Sequence, residues 1–141
     1  MKMDKKLLIG IFIILIIGIL GFLWKGQKIV IKPDNIKYDN GGILKVNIEN
    51  YFLRKVCFSS CYPYFLEKKD GAWKSYLYQN CNKPDLIEKC IEPGKTKAFE
   101  IPLPVVRKGL HRIAVPLCEN CKIGESFKET KRFYSAEFEI K

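Results

Sequence analysis

Six cysteines carry most of the reactive chemistry in this chain: Cys57, Cys61, Cys81, Cys90, Cys118 and Cys121. Thiols at such spacings can close disulfides, ligate zinc or exchange with other disulfides, and each use demands different surroundings. On one extended segment Cys57 and Cys61 stand about four strand rises, roughly 13 Å, apart. A bridge needs Cα atoms within about 7 Å. Unless Ser59-Ser60 turns the chain, these two are expected to reach separately to Cys81 and Cys90, in an order the spacing leaves open. Cys118 and Cys121 are close enough to pair with each other across Glu119-Asn120. Zinc would need four thiolates in a tetrahedron, and the sequence lacks two CxxC pairs at close spacing. A redox CxxC usually sits at a helix N-terminus, which lowers the thiol pKa. Here the pair follows Val115-Pro116-Leu117 and precedes Lys122-Ile123-Gly124, with no helical pattern behind it. Structural disulfides are therefore expected, without metal or cofactor. A thiol-disulfide oxidoreductase using Cys118 and Cys121 is the alternative.

Other chemistry is sparse. His111 is the only histidine, so any triad or Cys-His pair would have to use it. The carboxylates, such as Glu49, Glu137 and Glu139, fall on alternating outward positions and do not pair as acid and base. Trp73 is expected in the core at a hairpin rather than as a sugar-stacking platform. There is no Gly-rich phosphate loop and no nucleic-acid recognition module. Lys+Arg number 25 against 15 Asp+Glu, a formal +10. Lys128, Lys131 and Arg132 are the closest basic group and the candidate anion site.

The elements that must position these residues fall into two kinds. Residues 1–6 hold Lys2, Lys5 and Lys6 against Asp4. Leu7 to Trp24 follows as eighteen residues without a charged side chain. At about 1.5 Å per residue that run covers roughly 27 Å as a helix, close to the hydrocarbon thickness of a bilayer. It ends Phe22-Leu23-Trp24-Lys25, bulky where a signal peptidase needs small residues, so an uncleaved anchor is expected over a cleaved signal. Lys25, Lys28 and Lys32 nearly balance the N-terminal lysines, so charge decides little about orientation. Disulfides would place residues 25–141 on the oxidising side.

The remainder has the period of two expected of half-buried strands. A linker and first strand cover residues 25–35. Leu44, Val46 and Ile48 then alternate with Lys45, Asn47 and Glu49, and Val56 and Phe58 continue on another strand. Tyr64 to Lys68 and Trp73 to Gln79 flank the turn Lys69-Asp70-Gly71, a hairpin signal. Asn80 to Gly94 is turn-rich. Phe99, Ile101 and Leu103 face inward on the next strand, and His111, Ile113, Val115 and Leu117 share a face of the one after it. A last strand carries Tyr134, Ala136, Phe138 and Ile140 on one side. This gives an all-β, antiparallel sandwich of about seven or eight strands over residues 36–141.

Four short motifs give the order of these strands a family likeness. They are Ile48-Glu49-Asn50 at a strand end, Gly71-Ala72-Trp73 at a hairpin, Glu92-Pro93-Gly94 before a strand, and Gly109-Leu110-His111-Arg112-Ile113. Together they resemble the small immunoglobulin-like domains of membrane-anchored or secreted bacterial and archaeal proteins. His111 stands where that family has Tyr, and the resemblance implies a structural role like the tyrosine corner, a ring near a strand start bonded to backbone. The expectation is a single-pass protein of the cell membrane, with lipid contacted through residues 7–24 and the C-terminal domain extracytoplasmic. It would act as a non-catalytic binding or structural module of the envelope. Residues 1–24 contribute a net +2, which leaves +8 on residues 25–141. The expected partner is accordingly an anionic envelope polymer or an acidic protein face, and not nucleic acid.

Overall fold

Alternating apolar residues need a partner layer, and in the computed structural model two sheets supply it to each other. The structure describes residues 5–26, 28–76 and 81–141, with side chains inside the N-terminal helix described only for 9–19 and 21. That helix, α1, runs Lys5–Gly26. Among the described residues no helix is long and apolar enough to cross a membrane. The side chains described for α1 fall short of the about 20 apolar residues a span requires. The transmembrane character expected of residues 7–24 is thus not carried by the described residues, and Trp24 and Lys25 lie outside the described side chains.

Among the described residues eleven strands follow: β1 (Ile29–Pro33), β2 (Lys37–Tyr38), β3 (Ile43–Asn50), β4 (Val56–Ser59), β5 (Phe65–Asp70), β6 (Ala72–Ser75), β7 (Ile87–Ile91), β8 (Thr96–Pro102), β9 (Gly109–Glu119), β10 (Lys131–Tyr134) and β11 (Phe138–Ile140). A three-stranded sheet has the order β1-β3-β8, all antiparallel. The larger sheet is built around β9, whose length lets it carry two neighbours on each side. β5 and then β4 pair along one side, and β11 and then β10 along the other. β6 extends β5, β7 extends β4, and β2 joins β11 in parallel.

The core lies between the sheets. Leu44, Val46 and Ile48 of β3 meet Ile113, Val115 and Leu117 of β9, with Phe58, Leu66, Phe138 and Ile140 beside them, all buried. Burying one such side chain contributes about 1.5–3 kcal/mol, which is why the period of two is so clear here. At the end of β3, buried Asn50 donates through Nδ2 to the carbonyls of Arg54 (2.8 Å) and Ile91 (2.9 Å). Its Oδ1 accepts the Phe52 N–H at 2.9 Å. The motif Ile48-Glu49-Asn50 therefore ends in a polar pin that ties the smaller sheet to β7 of the larger.

Three departures from the sequence reading have local causes. β7 occupies the stretch read as turn-rich; only Ile87 and Ile91 of it are buried, so it shows no apolar alternation. The expected strand Trp73–Gln79 is seen as the short β6, and residues 77–79 lie outside the described ones. The single last strand is two. Tyr134 pairs Ala114 while Phe138 pairs His111, so four steps on one strand oppose three on β9. That one extra residue flips the side-chain alternation. Tyr134 consequently faces out at 47% exposure, whereas Phe138 faces in. Ser135 repairs the ladder at the bulge: its N–H donates to the Ile113 carbonyl, and its Oγ accepts the Ile113 N–H, both at 2.9 Å.

Candidate functional site

The outer face of the larger sheet, away from the core, holds most of the candidate chemistry. At one end of it β7, β4 and β9 lie side by side, and register sets Cys57 opposite Cys90 on one flank and Cys118 on the other. All six cysteines are bridged. Cys57 joins Cys90 (Cα–Cα 4.0 Å), Cys61 joins Cys81 (5.6 Å) and Cys118 joins Cys121 (5.8 Å). The turn after β4 separates the destinations of Cys57 and Cys61. Ser59 Oγ donates to Asp85 Oδ1 (2.7 Å) and accepts the Tyr62 N–H (2.6 Å), while Asp85 Oδ1 also accepts the Cys61 N–H (3.2 Å). Cys57 and Cys118 are buried with Ile87, and half-buried Cys90, Cys121 and Phe127 complete a small cluster separate from the main core. The segment after β9 roofs it: Phe127 N–H donates to the Asp85 carbonyl (2.8 Å), and Gly124 N–H to the Ile87 carbonyl (2.8 Å). Cys118 sits on a strand and Cys121 in the turn beyond it, so no helix terminus adjoins the pair. Among the described residues no group of three His, Cys, Asp or Glu is placed to hold a metal ion.

His111 is fully buried under the other end of the sheet. Its Nδ1 lies 2.8 Å from the Gly109 carbonyl and its Nε2 3.1 Å from the Tyr76 hydroxyl. Its ring stacks between Tyr76 and Phe138. Burial pushes the imidazole pKa below its usual value, the Gly109 bond opposes this, and the Lys68 charge adds to the lowering. Both ring nitrogens are engaged inside the core.

The basic group does not form one patch. Lys131 and Arg132 are neighbours on β10 and so point to opposite faces. Lys131 Nζ reaches Glu119 at 2.8 Å and lies over the Phe52 ring. Arg132 makes a two-pronged contact with Glu129 at 2.7 and 2.9 Å and lies over Phe65. Lys128 is exposed in the loop before them. Strand alternation thus divides the candidate anion residues Lys128, Lys131 and Arg132 between two faces, and carboxylates pair with two of them.

Trp73 is not a core residue either. It lies half-buried on the outer face, beside β5 and β9. There the Arg112 guanidinium lies 4.2 Å from the Trp73 ring and 3.9 Å from that of Tyr134. Glu67 fixes it, accepting from Arg112 Nε at 2.7 Å and from Ser75 Oγ at 3.2 Å. Lys69 lies 5.5 Å from Trp73, and Arg132 with Phe65 continues the row. Register puts Trp73, Lys69, Glu67, Phe65, Arg112, Tyr134 and Arg132 on one face of β6, β5, β9 and β10. Such a ladder of flat rings and fixed cations can stack sugar rings or other planar groups and steer acidic ones. Between the sheets a cleft of about 230 Å³ opens beside Phe58, Phe99 and Tyr64, apolar within and edged by Glu88, Lys89 and Glu100. The ladder escaped sequence reading because its members come from four strands. No family model, curated protein or solved structure matches this chain.

Proposed function

We propose that this protein is a membrane-tethered, extracytoplasmic and non-catalytic binding module of immunoglobulin-like type, which recognises an anionic envelope glycan through the Trp73–Arg112–Tyr134 face. The observation that carries the reading is that face: two aromatic rings clamp a guanidinium on an exposed sheet surface, at no benefit to the core. Rings held flat and half-open stack on sugars, and the +8 carried by residues 25–141 draws an acidic polymer from a distance. The immunoglobulin-like assignment is supported by the order β1-β3-β8 opposite β5-β9-β10, which parallels strands A-B-E and C-F-G of such sandwiches. The tether is supported by the uncharged run Leu7 to Trp24 and by α1, where Ile9, Phe12, Ile14 and Ile17 are all more than 60% exposed in the chain alone. An element apolar all round needs an apolar surrounding. Three disulfides fit an oxidising compartment.

The test uses a chain with Trp24→Phe, which leaves Trp73 as the only indole. Titration with an anionic polysaccharide should change its fluorescence at low salt, less at high salt, and a neutral polysaccharide should do far less. Trp73→Ala, followed by sedimentation with the polymer, should abolish retention. Binding that is indifferent to both Trp73 and salt overturns the reading. Protease added outside sealed, right-side-out vesicles should remove residues 28–141, and full protection would refute the topology.

A further inference from the structure

The two bridges at the β7-β4-β9 end share a geometry that a purely structural role does not require. Cys90, Cys57 and Cys118 stand in one row across three hydrogen-bonded strands, on one face, because residues directly opposite in register share a face. Opposite residues in an antiparallel pair have Cα atoms about 4.5–5.5 Å apart, inside the range that a disulfide spans, about 4.4–6.8 Å. Cys57 is thus placed to bond either neighbour, and Cys57 Sγ also lies 3.4 Å from the Cys121 carbonyl oxygen, so the second bridge packs directly against the first. Each bridge joins one buried cysteine, Cys57 or Cys118, to one half-buried cysteine, Cys90 or Cys121. Cys61–Cys81 lies beyond the Ser59–Asp85 turn and is not part of the row.

We propose that Cys57, Cys90, Cys118 and Cys121 form one exchangeable four-sulfur unit that accepts two electrons from a dithiol and stores them as a rearranged pairing. A thiolate of the dithiol attacks Cys121 Sγ, forming a mixed disulfide, and the bond electrons leave on Cys118. The Cys118 thiolate attacks Cys57 Sγ, the Cys57–Cys90 bond breaks, and Cys90 departs as a thiolate that takes a proton from water. The second thiol of the dithiol then loses its proton and attacks its partner sulfur in the mixed disulfide. This frees Cys121 and leaves the dithiol oxidised to a cyclic disulfide. Entry at Cys90 gives the same product by the mirror route, with Cys57 released and attacking Cys118. In either case the buried cysteines end joined as Cys57–Cys118, and the two half-buried cysteines end as thiols. The half-buried member of each bridge is the more open to an incoming thiolate, and access and leaving group together set such rates.

Full-length protein in detergent micelles, treated with limiting dithiothreitol, quenched in acid, alkylated and digested, tests this by mass spectrometry. In the species that has gained two electrons, most molecules should carry Cys57–Cys118, alkylated Cys90 and Cys121, and intact Cys61–Cys81. Loss of one native bridge with both of its own cysteines alkylated overturns the proposal, as does full reduction without that intermediate. A second variant, Cys90→Ser with Cys121→Ser, should oxidise to a Cys57–Cys118 bridge; two free thiols in folded protein count equally against it. Glycan binding through Trp73 is read separately, so either proposal can fail alone.

Discussion

The outer face of the larger sheet is finished in two ways. At the β7-β4-β9 end a loop carrying Phe127 folds back over Cys57, Cys118 and Ile87, with Cys90 and Cys121 half-buried at its edge. At the β6-β5-β9-β10 end no described loop covers the sheet, and the Arg112 guanidinium lies over the Trp73 and Tyr134 rings. Both ends hang on the same strand, β9, whose outward residues include Cys118 at one and Arg112 at the other. The lesson is that covalent cross-linking serves where a small sheet must carry a second apolar layer too thin to hold itself, whereas stacked rings serve where the surface must stay open.

Substitutions can test whether the sealed end matters more to stability. Replacing Cys57 and Cys90 together by alanine should have the largest effect, about 3–4 kcal/mol for a bridge that closes a loop of this size, read by urea unfolding without reductant. Replacing Cys118 and Cys121 together should cost about 2 kcal/mol because the loop between them is short. A similar loss from both pairs would mean that packing, not chain restriction, dominates this end. Under the open end, His111→Ala should cost about 1–3 kcal/mol by leaving buried partners unpaired. Its signature is pH dependence: the folded pKa lies below the usual 6.5, so the neutral ring is favoured on folding. Stability should therefore hold above about pH 6.5 and decline as pH falls below it, and the variant should lose that slope. Trp73→Ala should be smallest, about 0.5–1 kcal/mol, typical of a partly exposed cation–π contact. A loss of 3 kcal/mol or more there would make the ladder structural and erase the contrast.

The sequence made the sealed end more legible than the open one. Cys118 and Cys121 lie within one turn, so their pairing needed no tertiary knowledge, and the separation of Cys57 from Cys61 narrowed the other two. The core strands were equally plain, since Leu44, Val46 and Ile48 announce their buried face by period alone. β7 was hidden because its middle residues, Glu88 and Lys89, are exposed and its two isoleucines fall four apart. The last strands were misjudged because a one-residue bulge at Ser135 leaves no mark in composition, yet it inverts which side Tyr134 takes. The ladder was illegible for a different reason. Trp73, Arg112 and Tyr134 are neighbours only through registers across β5 and β9, and a register between strands distant in sequence leaves no local pattern.

The pin at Asn50 also bears on how this protein ages. Asparagine degrades when the following backbone nitrogen attacks the side-chain carbonyl carbon to close a succinimide ring. Here that nitrogen, on Tyr51, donates to the Lys28 carbonyl at 2.9 Å. The Asn50 amide is meanwhile held at both ends, by two carbonyls and one N–H. The ring cannot close without breaking these bonds together. Asn50 therefore deamidates only in molecules that have opened, and an aspartate found there would date past unfolding rather than elapsed time. Such an aspartate would set a carboxylate against two carbonyl oxygens and keep the opened molecule from closing again.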